Sequence, residues 1–89
     1  MNILCSELFE KQLKAILSEF AIEDLEATKS FKMYLDTIII NIPTKAQKYK
    51  KSIYFDDENI RDIVHEDFII PFLLDEPNQT YILLGITRK

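Results

Sequence analysis

Glycine is almost missing from this sequence: Gly85 is the only one in 89 residues. Glycine-rich phosphate loops and dinucleotide fingerprints need several, because the backbone must come close to the phosphates. Those nucleotide-binding classes are excluded. Cysteine is as scarce. Cys5 stands alone, so no intramolecular disulfide forms. No zinc-type Cys/His spacing accompanies it, and neither a metal nor a cofactor is expected. Long apolar runs are lacking too. Ile38–Ile40 and Phe68–Leu74 fall far short of the roughly 20 residues of a membrane-spanning helix. No basic segment followed by an apolar run opens the chain, so no signal peptide is expected and the cytoplasm is the default location. Positive charge is in deficit, with 11 Lys and Arg against 15 Asp and Glu and a net charge of −4. Chains that grip nucleic-acid backbones are usually basic. Direct, stable nucleic-acid binding is therefore not expected.

What is present suits one domain over residues 1–89. The hydrophobic fraction is 47%, close to the globular average, which argues against disorder. A domain of this size buries only roughly 60–65% of its unfolded surface. A partner covering apolar surface would then matter to its stability.

The residues predict the following order. Met1 to Leu4 forms a short edge strand. Ser6 supplies a helix N-cap, with Glu7 in the first turn. Phe9, Leu13, Ile16, Leu17 and Phe20 recur at helical spacing. Glu7–Lys11 and Glu10–Lys14 stand four apart in the favoured order, each worth about 0.2–0.5 kcal/mol. Glu23, Asp24 and Glu26 open a second helix. Its stripe is Ala27, Phe31, Tyr34, Leu35, Ile38 and Ile42, and Pro43 ends it. So short a link predicts an antiparallel helical hairpin. Pro43 to Lys51 reads as a polar loop or one helical turn, and 52–59 is ambiguous. Ile60 to His65 and Phe68 to Leu74 read as strands, the latter covered on both sides or across its centre. Pro71 cannot donate to a ladder, so it implies an unpaired position or a bulge. Asp75 to Gln79 is a hairpin turn, and Thr80 to Thr87 is the last strand. The order is β-α-α-β-β-β. It predicts an α+β domain, a helical hairpin packed on one face of a small antiparallel sheet.

This order, at this length, resembles the RelE/ParE toxin superfamily. "LFEKQLKAI" resembles the family's first helix, and "AIEDLEATKSFKMYLDTIIINIP" its long second helix ending in an apolar segment and a proline. "NIRDIVHEDFIIPFLL" resembles its arginine-bearing strand leading into an aromatic-flanked strand. "TYILLGITRK" resembles its last strand, which commonly ends in basic residues. The resemblance implies the toxin of a type II toxin–antitoxin pair, neutralised by a co-expressed antitoxin that wraps a segment around it. RelE-like members cleave mRNA in the ribosome, and ParE-like members poison DNA gyrase. Ribonuclease members use a set of Lys, Arg and Tyr residues, cations for the scissile phosphate and an ionisable group to move protons. Here the position after the aromatic that begins the penultimate strand is Ile69, and Lys89 stands where the family often continues with a basic or aromatic residue. The resemblance thus favours a ParE-like toxin that binds a protein target, with no catalytic residue assigned. The alternatives are a ribosome-dependent mRNA endonuclease and a non-toxic binding module on the same scaffold.

The candidate target- or antitoxin-binding residues are Lys48, Lys50, Lys51, Arg61, Arg88 and Lys89. Arg61 and Arg88 match basic positions of the family. Beside Asp57, Asp62 and Glu66, Arg61 also predicts a surface ion pair worth about 0–1 kcal/mol. Lys45, Lys48, Lys50 and Lys51 precede an acidic run from Asp56 to Asp67, so the two clusters could form separate patches. Tyr49 and Tyr54 flank the lysines and suit either base stacking or a core. His65 is expected to be a polar strand residue, and Cys5 a small core residue.

Overall fold

The computed structural model describes residues 2–89. Ser6 sets the start of the first helix, α1 (Glu7–Glu23). Its Oγ accepts the Phe9 N–H at 3.0 Å and donates to the Leu84 carbonyl at 3.1 Å. The cap thus fills an unpaired amide of the first turn and ties that turn to the far end of the chain. One residue, Asp24, separates α1 from α2 (Leu25–Ile40). Asp24 N–H donates to the Phe20 carbonyl, while its carboxylate accepts the Ala27 N–H at 3.0 Å. It closes one helix and opens the next, and the two pack as a hairpin. The expected Glu–Lys pairs of α1 do not close. Among the described residues the helical ion pair is Lys32–Asp36 at 2.7 Å.

The second helix stops earlier than its apolar stripe suggested. Asn41 interrupts it, and Ile42 and Pro43 open a separate short helix, α3 (Ile42–Lys45). Pro43 sits in the first turn, where its missing N–H costs nothing. A 3₁₀ turn (Ala46–Lys48) and a two-residue strand, β2 (Lys50–Lys51), follow. The edge strand β1 (Asn2–Cys5) precedes the helices, and β3 (Ile60–His65), β4 (Phe68–Asp75), β5 (Thr80–Leu83) and β6 (Thr87–Arg88) complete the sheet. Its order is β1-β5-β4-β3-β2, with β6 also on β4.

The fold is α+β as expected, but the sheet is mixed rather than purely antiparallel. β1 runs parallel to β5, with Ile3 opposite Tyr81 and Leu4 opposite Ile82. No tight turn joins the pair, because α1, α2, α3 and the strands β2, β3 and β4 lie between β1 and β5 in the chain. The expected last strand is split into β5 and β6. Pro71 gives the reason: it faces residues 84–86 with no N–H to offer, and only the Leu84 N–H bonds back to its carbonyl, at 2.9 Å. Gln12 of α1 fills the gap by accepting the Ile86 N–H at 2.9 Å. A Cβ on Gly85 would lie 2.7 Å from that same Gln12 oxygen, which is why the single glycine stands there.

The alternation of β4 divides the packing. Phe68, Ile70 and Phe72 face the helices and join Phe9, Phe31, Leu35, Ile42, Ile63 and Leu83 in the core. Ile69 and Pro71 face the other way and are buried as well. The two-sided cover expected of this strand is present. Part of the predicted α2 stripe is not core, since Ala27 and Tyr34 are exposed.

Candidate functional site

The six candidate cations fall into two groups at opposite ends of the sheet. Arg61 lies on β3 opposite Phe72. Its Nη1 donates to the Ala46 carbonyl at 2.8 Å. The ion pair expected of it with Asp57, Asp62 or Glu66 is not made, because the 3₁₀ turn offers a carbonyl within reach and Asp62 points elsewhere. The Asp62 carboxylate accepts the Ile53 N–H at 3.0 Å and pins the 52–59 segment. Arg61, Tyr49, Lys51, Gln47, Glu58 and Asn59 line an open polar cleft. Tyr49 is half-buried with its ring edge-on to Phe72, 5.7 Å between centroids. Burial pushes the Tyr49 hydroxyl above its ordinary pKa, so it is poorly suited to act as a base.

Lys48, Lys50 and Lys51 are exposed, and of the three Lys51 lines this cleft. The basic and acidic runs do not form separate patches. Lys50 stands opposite Asp62 and Lys51 opposite Arg61, and Lys51 Nζ lies 3.2 Å from Asp56. The turn between β2 and β3 folds one run onto the other.

Arg88 is opposite Phe68 on the β6–β4 pair. Its guanidinium carbon lies 5.0 Å from the Phe68 ring centroid and 5.9 Å from that of Phe20, and Nη2 is 4.0 Å from Glu19. It is exposed, as is Lys89, whose N–H bonds to the Asp67 carbonyl at 2.8 Å. The terminal residues are therefore held by the ladder rather than frayed. Phe68 and Phe72 are four positions apart on β4, so the strand positions facing the two arginines are separated by about 13 Å. The two guanidiniums are engaged apart, Arg61 on the Ala46 carbonyl and Arg88 over Phe68 and Phe20 beside Glu19. Ile69, where a ribonuclease would want a cation, is 7% exposed and turned to the opposite face of the sheet.

Two expectations change. His65 is not a simple polar strand residue. Its ring stacks on Phe31 at 5.3 Å and 5°, and its Nε2 is buried without a partner among the described residues. Cys5 is exposed rather than core. Partial desolvation, then the Glu10 carboxylate, raise its thiol pKa. It is a poor nucleophile in that setting.

A further feature was missed in the sequence. At the hairpin tip Phe20, Phe31 and Tyr34 wall a hollow of about 410 Å³ rimmed by Glu23, Asp24 and Glu66. The signal is present in the sequence: Ala27, Phe31 and Tyr34 belong to the α2 stripe beside Asp24, but the stripe alone does not say which of its members the sheet leaves uncovered.

The mixed sheet and the preceding hairpin define a RelE/ParE-like fold. A chain of the chromosomal ParDE TA system from P. aeruginosa superposes with a TM-score of 0.78 at 15% identity, over 99% of this chain and 95% of that one. The conserved hypothetical protein HP0892 from Helicobacter pylori superposes with a TM-score of 0.64 at 20% identity, over 99% and 93%. No protein-family model matches the chain, and no curated protein matches it in sequence.

Proposed function

We propose that this chain is the toxin of a type II toxin–antitoxin pair, that it acts in the cytoplasm by binding a protein target such as DNA gyrase, and that a cognate antitoxin neutralises it. The near-full-length likeness to a chain of a ParDE system supports the class. The observation that carries the mechanism is the separation of Arg61 from Arg88, with Arg61 tied to a backbone carbonyl and Ile69 turned away. With the two family-matched arginines engaged separately, binding is favoured over phosphodiester cleavage, which needs cations gathered on one phosphate. Lys48, Lys50, Lys51, Arg61, Arg88 and Lys89 then serve as contacts to the target or antitoxin, and no cofactor takes part.

One feature favours the mRNA endonuclease as a second reading. Lys51, Tyr49 and Arg61 share a polar cleft, and such a cleft suits an RNA backbone. Induced expression in bacteria without the antitoxin separates the readings. Growth arrest with gyrase-linked DNA damage is the expected result. Codon-linked mRNA cuts, lost in Arg61→Ala, would replace it with the ribonuclease. Unchanged growth would leave a non-toxic binding module.

A further inference from the structure

We infer that the hollow at the hairpin tip receives an arginine side chain from a protein partner, on a segment with apolar residues beside the arginine. This deepens the reading of the chain as one half of a protein pair and rests on it.

The hollow joins two features that suit a guanidinium. Its wall is aromatic. Phe31 forms the floor and stacks with His65 and Phe68. Tyr34 is 58% exposed and leaves ring surface open to a ligand. Its rim is acidic, with Glu23, Asp24 and Glu66 and no basic residue among those lining it. A guanidinium stacks on an aromatic face while donating to carboxylates around its edge, which an ammonium does less well. The chain uses the same chemistry next door. Arg88 lies over Phe20 and Phe68 beside Glu19. Phe20 thus contacts this chain's own cation and also lines the hollow.

The surroundings supply the rest of the partner's chemistry. Ile22 is 87% exposed and Leu25 is also exposed, both flanking Asp24 at the hairpin link. Apolar side chains next to the arginine would cover them. Glu66 completes the rim from the β3–β4 turn with a left-handed backbone, φ 53°, where glycine is the usual choice.

The test is an amide-resolved NMR titration of the full chain with N-acetyl-arginine methylamide. Shifts confined to Phe20, Ser30, Tyr34 and Glu66 are expected, and the uncharged citrulline analogue should produce none. Tyr34→Ala should weaken binding about 2–5-fold, and Glu23→Gln with Glu66→Gln about 3–10-fold. These positions are exposed, so each variant should keep the parent amide spectrum elsewhere. Asp56→Asn, at the other end of the sheet, should change nothing. The inference is overturned by no shifts, by equal shifts at Asp56 to Glu58, by equal binding of citrulline, or by equal binding of the lysine analogue. The induction experiment is scored separately. A toxic chain that ignores arginine loses only this inference, and a harmless chain that binds arginine loses only the toxin reading.

Discussion

The two ends of β4 hold their arginines in different ways. Opposite Phe72, the Arg61 head donates to the fixed carbonyl of Ala46 and is half-buried. Opposite Phe68, Arg88 rests on two rings beside Glu19 and remains exposed. A hydrogen bond to backbone fixes the direction of a guanidinium, whereas ring stacking tolerates sliding. The packing beneath them differs as well. Phe68 packs against Phe20 and Phe31, and Phe31 also stacks with His65. Phe72 meets only the edges of Tyr49 and Tyr81. The end with the exposed arginine is thus built on the denser aromatic cluster.

The largest expected effect tests that density. Phe31→Ala removes a ring that touches Phe20, Phe68 and His65, and should cost about 3–5 kcal/mol. At the other end, Tyr49→Ala removes a half-buried ring and should cost about 2 kcal/mol. Urea denaturation midpoints compare them directly. Equal losses would show that the aromatic cluster at the hairpin tip is no firmer than the polar end.

Gly85→Ala comes next and addresses the seam between the ends. The new methyl would meet Gln12 Oε1, which must then release the Ile86 N–H. A part-buried amide left unpaired costs about 1–3 kcal/mol. Gln12→Ala alone should lose the same hydrogen bond, so Gly85→Ala added to it should cost little more. Additive losses in thermal unfolding would mean that the glycine serves some other purpose.

Much of this was legible in the sequence. Ser6 and the Asp75–Gln79 turn carry local signals that act within a few residues and appear where expected, and Asp24 does open the second helix, although Glu23, expected to open it too, ends α1. Pro71 announced an interruption, and the split between β5 and β6 is that interruption. What was not legible depends on partners distant in the chain. Nothing near Met1 to Leu4 says whether that strand runs parallel or antiparallel to one almost eighty residues on. The stripe of α2 gives its apolar face but not where the sheet stops covering it, and Tyr34 lies beyond that limit. Arg61 had acidic neighbours in sequence, yet its acceptor is a carbonyl 15 residues away.

The smallest expected effect compares the arginines themselves. Arg61→Ala loses a charge-assisted hydrogen bond at a half-buried position, worth about 1–2 kcal/mol after allowance for exposure. It also leaves the Ala46 carbonyl without that donor. Arg88→Ala loses an exposed stacking contact worth about 0.5–1 kcal/mol and a 4.0 Å ion pair that solvent screens. The order of the two losses is the informative quantity. Raising salt from low to physiological strength should narrow the Arg88 loss more than the Arg61 loss, because the Glu19 attraction is screened while the carbonyl contact is short and partly sheltered. Thermal unfolding of both variants at two salt concentrations measures this. If Arg88→Ala proves the more damaging, or if salt leaves its loss untouched, then Arg88 is fixed as firmly as Arg61, and the contrast between a held and a movable cation is wrong.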